Sequence, residues 1–235
     1  MNKRGAGIIL GVIPARGGSK GIPGKNLRQV LGKPLIGYTV EEALAFKSVD
    51  KVIVTTDSPA IAATARSFGA EVPFLRPKAL ARDRSSMLDV LKHALRTCER
   101  LYGIRIDGIF LFDPSSPLRD EKDLAAMAGL FRREKPDLVV AVSPCRRNPY
   151  FNMLKAGRNS YAGLVLKGRF IRRQDAPPIF DITNNGWLFS RRAVLRGWRL
   201  PRRTIAYEVR SVTIDIDREE DLDLLEFFMK RRGTR

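Results

Sequence analysis

The chain has 235 residues, 44% of them hydrophobic, which is enough for a sizeable buried core in one domain and too many for a disordered polypeptide. Its 43 Lys and Arg against 25 Asp and Glu give a net charge of +18, a field that draws nucleic acid, anionic lipid or acidic small molecules without choosing among them. No apolar run reaches the roughly 18 residues of a membrane span, and Cys98 and Cys145 lack any metal-ligand spacing, so a cytoplasmic protein with unpaired thiols is expected.

Ile8 to Ile13 is a continuous apolar run, as in a strand buried on both faces, and predicts the first strand of a parallel sheet. Helical spacing follows over Leu35 to Phe46, then a strand at Lys51 to Thr55 and helices over Pro59 to Phe68 and Ser86 to Leu101. Gly108 to Phe112 reads as a strand, Glu121 to Arg133 as a helix and Leu138 to Val142 as a strand. This alternation predicts a doubly wound, mostly parallel α/β sheet. From Ser143 to Asp181 the rhythm breaks on Pro, Asn and Gly, predicting a β-rich insertion with a short strand about Tyr161 to Leu166 and a polar segment Arg169 to Asp175. Strands are expected again at Gly186 to Phe189 and Ser211 to Ile216, and an amphipathic helix over Glu219 to Arg231 closes the domain. Between Ile182 and Tyr207 lie six arginines and no acid, the nearest feature to a nucleic-acid patch, although a solvated basic surface accounts for it more simply.

The chemistry concentrates at two places. The first strand runs into a loop, Pro14 to Asn26, with four glycines and three cations, at the carboxyl end where open α/β sheets bind ligands. Glycines admit an anion close to backbone N–H groups, and Arg16, Lys20 and Lys25 neutralise phosphate oxygens, so a triphosphate is the expected guest. Neither a Walker A loop nor a dinucleotide GxGxxG is present: Asn26 follows Gly24-Lys25, and Ser19 stands where the Walker pattern needs Gly. Near the end of a late strand, Asp215 and Asp217 at i, i+2 share one face about 6 to 7 Å apart. Their mutual repulsion is relieved by a divalent cation shared with triphosphate oxygens, and Mg²⁺ is the expected cofactor. His93, the single histidine, falls in an apolar-periodic helix and is expected to pack rather than to catalyse.

In order along the chain stand IPARGGSKGIPGKNL, TTDS (Thr55 to Ser58), LRPKALARD (Leu75 to Asp83), PSSPLR (Pro114 to Arg119), Asn185-Gly186 and TIDID. In these motifs the sequence resembles the acylneuraminate cytidylyltransferase family over nearly its whole length. The resemblance implies a CTP site formed by Ala15, Arg16, Gly17, Ser19, Lys20, Lys25, Asn26, Arg76, Asp83 and Ser85, with Ser86 close by. It implies a sugar site formed by Asp113, Ser115, Ser116, Arg119, Arg173, Gln174 and Asn185. Arg16, Lys25, Asp215 and Asp217 would be catalytic, with the two aspartates holding the metal. The implied partners are CTP, an acidic nonulosonic sugar and a second copy of the chain, the insertion at about 143–181 serving the dimer and the sugar site; no nucleic acid or membrane is implied.

Two departures concern the sugar. Asp113 stands where many members have Gln, a carboxylate in place of a neutral donor and acceptor, and is expected to pair with an arginine, join the metal shell or meet an amine or hydroxyl of a different sugar. Asn185 to Phe189 (NGWLF) replaces the family's Asn-Gly-Ala-Ile-Tyr, losing a hydroxyl and adding bulk. A CMP-octulosonate synthetase is the competing enzymatic reading, and a basic nucleic-acid-binding module is the competing reading from another class.

Overall fold

The computed structural model describes residues 7–19, 21–82, 84–159 and 161–233. β1 (Ile9–Pro14) leads through the glycine-rich loop to a small ribbon, β2 (Gln29–Val30) and β3 (Lys33–Pro34). α1 (Leu35–Ala45), β4 (Lys51–Thr55), α2 (Pro59–Ser67), α3 (Met87–Tyr102), β5 (Gly108–Leu111), α4 (Glu121–Glu134) and β6 (Leu138–Pro144) follow. The hairpin β7 (Leu154–Ala156) and β8 (Ala162–Leu164) precedes the long β9 (Phe180–Ser190), and α5 (Arg191–Arg196), β10 (Thr204–Glu208) and α6 (Glu219–Gly233) complete the order. Among the described residues no helix is long and apolar enough to cross a membrane.

The six-stranded sheet runs β10-β6-β9-β5-β1-β4, with β4, β1 and β5 parallel, β10 parallel to β6, and β9 antiparallel to both its neighbours. Alternation explains how it is covered. Ile9, Ile13, Val52, Val54, Phe110 and Phe112 face α1, α2 and α4, whereas Leu10, Val12, Ile53, Ile109 and Leu111 face α3 and α5. Continuous apolar strands buried on both sides are the result. Ser58 and Asp120 cap α2 and α4 with their side-chain oxygens, which fixes where those helices begin. The chain passes from β1 to β4 on one side and later to β5 on the other, so the sheet's switch point lies between β1 and β5, where the loops following both strands part into a crevice.

Three sequence expectations need correction. Ser211 to Ile216 forms no strand; the edge strand beside β6 is Thr204–Glu208, which overlaps the end of the arginine-rich stretch. The Asp123 carboxylate explains the exit: it accepts from Tyr207 Oη at 3.1 Å and from the backbone N–H groups of Arg210 and Ser211 at 3.1 and 3.2 Å, donors that a ladder would otherwise take. The chain then crosses extended but unladdered toward the carboxyl ends of the strands, where Ile216 donates its N–H to Ser115 O at 2.8 Å. The strand expected at Gly186 to Phe189 begins at Phe180, so the insertion ends before it, and α5 occupies part of the arginine run. Three of the six arginines of that run serve the fold here: Arg191 pairs with Glu99, Arg192 with Asp137, and Arg196 stacks over Trp198.

Candidate active site

A cleft of about 440 Å³ opens at the switch point. Arg16, Ser19 and Lys25 reach it from the loop after β1, and Arg76 from the segment after α2. Asp113 and Ser115 come from the loop after β5, Asn184 from β9 and Asp217 from the crossing segment. A larger hollow of about 890 Å³ lies at the opposite end of the sheet, but there Arg192 is held by Asp137 and Arg203 donates to the carbonyls of Glu134 and Lys135. The cleft is instead where Arg16, Lys25 and Arg76 come together with Asp113 and Asp217.

The loop after β1 is built as a cradle. Ala15 is buried and donates its N–H to Thr55 O at 3.0 Å, Gly17 N–H goes to Asp57 Oδ1 at 3.0 Å, and Asn26 Nδ2 donates to Arg16 O at 3.1 Å, tying the two ends of the loop together. A Cβ on Gly21 would stand 2.1 Å from Asp217 O, so only glycine lets the loop lie against the aspartate segment. Arg76 is 5% exposed and hydrogen bonds Thr55 through its hydroxyl, at 3.2 Å, and its carbonyl. Burial lowers its pKa to about 10, with Asp57 opposing the shift and Arg16 adding to it, so it remains a cation at neutral pH.

Asp215 and Asp217 do share a side, though without a strand. Ile214 and Ile216 turn inward onto Ile22, Leu35, Leu118 and Leu225, while both aspartates stay exposed. Asp215 accepts from Ser116 Oγ and from Asn184 Nδ2 at 3.2 Å. Asp217 meets Lys25 Nζ at 3.4 Å, and the same ammonium donates to Ile216 O. No group of three His, Cys, Asp or Glu suited to a metal occurs among the described residues. A two-carboxylate, all-oxygen donor set is what Mg²⁺ takes when phosphate oxygens and water complete its shell.

Several expected site residues lie elsewhere. The Arg119 side chain is fully buried, paired with Glu42 at 2.7 Å and donating to the carbonyls of Asn185, at 2.9 Å, and Asp113. Asn185 is 3% exposed and donates toward Leu118 O and Ser211 Oγ. Neither lines the cleft: both brace its floor. Ser116 acts through Asp215, and Ser85 hydrogen bonds Ala79 O. Arg173 and Gln174 sit in an exposed 3-10 turn away from the cleft lining. Lys20 and Asp83 lie outside the described residues. Among the described residues the Asp113 carboxylate pairs with no arginine; its Oδ1 accepts from Ser115 N–H at 2.9 Å and Ser115 Oγ at 2.7 Å. Conversely, Thr55, Asp57, Gly21, Met87 and Asn184 support or line the site without having been singled out for it. The Asn-Asn-Gly doublet and the TTDS corner were the available signals.

The cytidylyltransferase family model matches residues 10–142, the segment that contributes the glycine-rich loop, Arg76, Asp113 and Ser115 to the cleft. The chain belongs to the cytidylyltransferase family. This cytidylyltransferase is 34% identical over 227 residues, 96% of each chain, to the CMP-N,N'-diacetyllegionaminic acid synthase of Campylobacter jejuni. It is 31% identical over 230 residues, again 96% of each chain, to the post-translational flagellin modification protein B of Campylobacter coli. Its fold matches that of a CMP:2-keto-3-deoxy-manno-octonic acid synthetase complexed with CTP at TM-score 0.72 and 19% identity, covering 96% of this chain and 99% of the other.

Proposed function

We propose that the protein couples CTP to an acidic nonulosonic sugar, giving the CMP-sugar and pyrophosphate. The observation that carries this is one cleft in which Arg16, Lys25 and Arg76 face Asp217, while Asp215 is held beside it by Ser116 and Asn184. The cations fit a triphosphate, and full-length similarity to a synthase named for a diacetylated nonulosonic acid supports the acceptor class over an octulosonate.

In this reading the sugar's anomeric hydroxyl attacks the α-phosphorus, the new O–P bond forms as the bond to the pyrophosphate oxygen breaks, and the hydroxyl proton leaves to solvent. Arg16 and Lys25 offset the charge gathering on pyrophosphate, and the loop fixes the reactants in line. Mg²⁺ held by Asp215 and Asp217 would supply charge neutralisation at the phosphates and acidify the hydroxyl. Lys25, now on Asp217 and Ile216 O, is the group that turns toward phosphate when CTP enters. A homodimer belongs to the same reading. The β7–β8 hairpin and its flanks expose Leu154, Tyr161 and Ile171, the last at 94%, and Arg173 and Gln174 are exposed in this region, which supports a reading in which they serve a partner's cleft. Because the nucleotide is an intracellular metabolite, the cytoplasm is the expected compartment.

Pyrophosphate release from CTP and Mg²⁺ is measured with N-acetylneuraminate, its deaminated and diacetylated relatives, and an octulosonate. Release is expected only with a nonulosonic acid and should be lost in Asp217→Ala, with little expected effect on folding because the side chain is 78% exposed. Turnover by that variant refutes the metal role, and octulosonate preference refutes the acceptor class.

A further inference from the structure

A second cavity, of about 320 Å³, adjoins the cleft and shares Met87, Asp113 and Asn184 with it. Its remaining walls are mostly apolar: Leu88, Leu111, Trp187 and Phe189. Trp187 and Phe189 project from the same face of β9 and stack with centroids 5.7 Å apart and planes at 14°, and neither is more than 7% exposed. The sheet therefore fixes this wall. Two charged groups of opposite sign mark its polar points. Asp113 uses Oδ1 for Ser115, and its other carboxylate oxygen has no partner among the described residues. Arg199, exposed in the connection after α5, lines the same cavity and makes no hydrogen bond or ion pair with the described residues.

We propose that this cavity receives the non-reacting tail of the sugar and selects a tail with a second acylamino group and a terminal methyl over a polyhydroxylated one. The proposal rests on the nonulosonate reading above. With the anomeric hydroxyl at the aspartates, the rest of a nine-carbon acid extends past Asn184 and Asp113 into the cavity they share. An amide has one donor and one acceptor: its N–H matches the open oxygen of Asp113 and its carbonyl matches Arg199. The acyl and terminal methyls then lie on the Trp187 and Phe189 faces. Hydroxyls set against the ring faces of that wall would lose water and find no acceptor there, the Trp187 indole N–H being a single donor at its edge, and Phe189 lacks the phenolic oxygen that could serve them. Discrimination of about 10- to 100-fold in kcat/KM is the scale such a pocket achieves.

The test compares kcat/KM for N,N'-diacetyllegionaminate and N-acetylneuraminate with saturating CTP in the full-length protein. The diacetylated sugar is expected to lead by at least about 10-fold. Phe189→Tyr, which keeps the ring, should narrow the ratio, and Arg199→Ala, an exposed position safe for folding, should raise KM for the diacetylated sugar and spare kcat. Equal or better use of N-acetylneuraminate, or a ratio that neither variant moves, overturns the proposal while leaving the transferase intact. No turnover with either sugar or with any of the wider panel overturns the transferase reading, and this inference with it.

Discussion

Arg119→Met separates a residue that holds the site from one that touches substrate. The guanidinium is fully buried, pairs with Glu42 at 2.7 Å, donates to the carbonyls of Asn185 and Asp113, and lies over the Phe112 ring at 5.6 Å. Methionine keeps much of the aliphatic stem but removes the pair with Glu42 and the donor to Asn185 O, while the Asp113 carbonyl keeps the Ser116 N–H at 3.1 Å. Breaking a buried pair costs about 3–5 kcal/mol. Glu42 retains 21% exposure and can recover some solvation, which favours the low end, while the lost hydrogen bond to Asn185 O pushes the other way. A loss of about 4 kcal/mol is expected, lowering Tm by roughly 8–16 °C for a domain of this size. Urea unfolding followed by tryptophan fluorescence gives the stability, and pyrophosphate release below the transition gives the activity of the folded fraction. The expected result is a large drop in midpoint with a KM for sugar within about threefold of the parent, because surviving folded molecules keep an intact cleft lining. An unchanged midpoint with a sharply raised sugar KM would refute the bracing role and restore Arg119 to the sugar site.

Gly21→Ala forces a methyl to 2.1 Å from Asp217 O, so the cradle and the aspartate segment must part; kcat/KM should fall about 100-fold with little change in Tm, and near-parent kinetics would show that their close approach is dispensable. His93 has a buried Nδ1 without a hydrogen-bond partner among the described residues, its ring packs edge-on to Phe74 at 5.0 Å, and burial, helped by Arg76 and Arg100, lowers its pKa below the ordinary 6.5. The unfolded chain therefore takes up the proton first. Stability from this group is complete above about pH 6.5 and declines as pH falls toward the folded value. The urea midpoint of the parent should drop between pH 7.5 and 5.5 more than that of His93→Leu, and parallel profiles would count against it.

The apolar runs of β1, β4, β5 and β6 and the helical spacing of α1 to α4 were legible because a strand buried on both faces can be written in few ways. β10 and α5 were not: they lie among arginines whose charges are answered by Glu99 and Asp137, distant in the chain, so local composition read as surface. The alternation Ile214-Asp215-Ile216-Asp217 correctly put both carboxylates on one side, but whether that segment joined the sheet depended on Asp123, some 90 residues earlier, capturing the N–H groups of Arg210 and Ser211.

The same division holds at the site. Residue type alone marked the glycine and cation loop as an anion cradle and the paired aspartates as oxygen donors, because those properties travel with the side chain. Which members of each motif face the cleft is a matter of packing. Within Asp113 to Arg119, Asp113 and Ser115 line it while Arg119 turns beneath, and in the Asn184-Asn185 pair the first meets Asp215 while the second is buried. Sequence determined the chemistry available to this protein; the sheet, by setting which face each successive residue presents, decided where that chemistry converges.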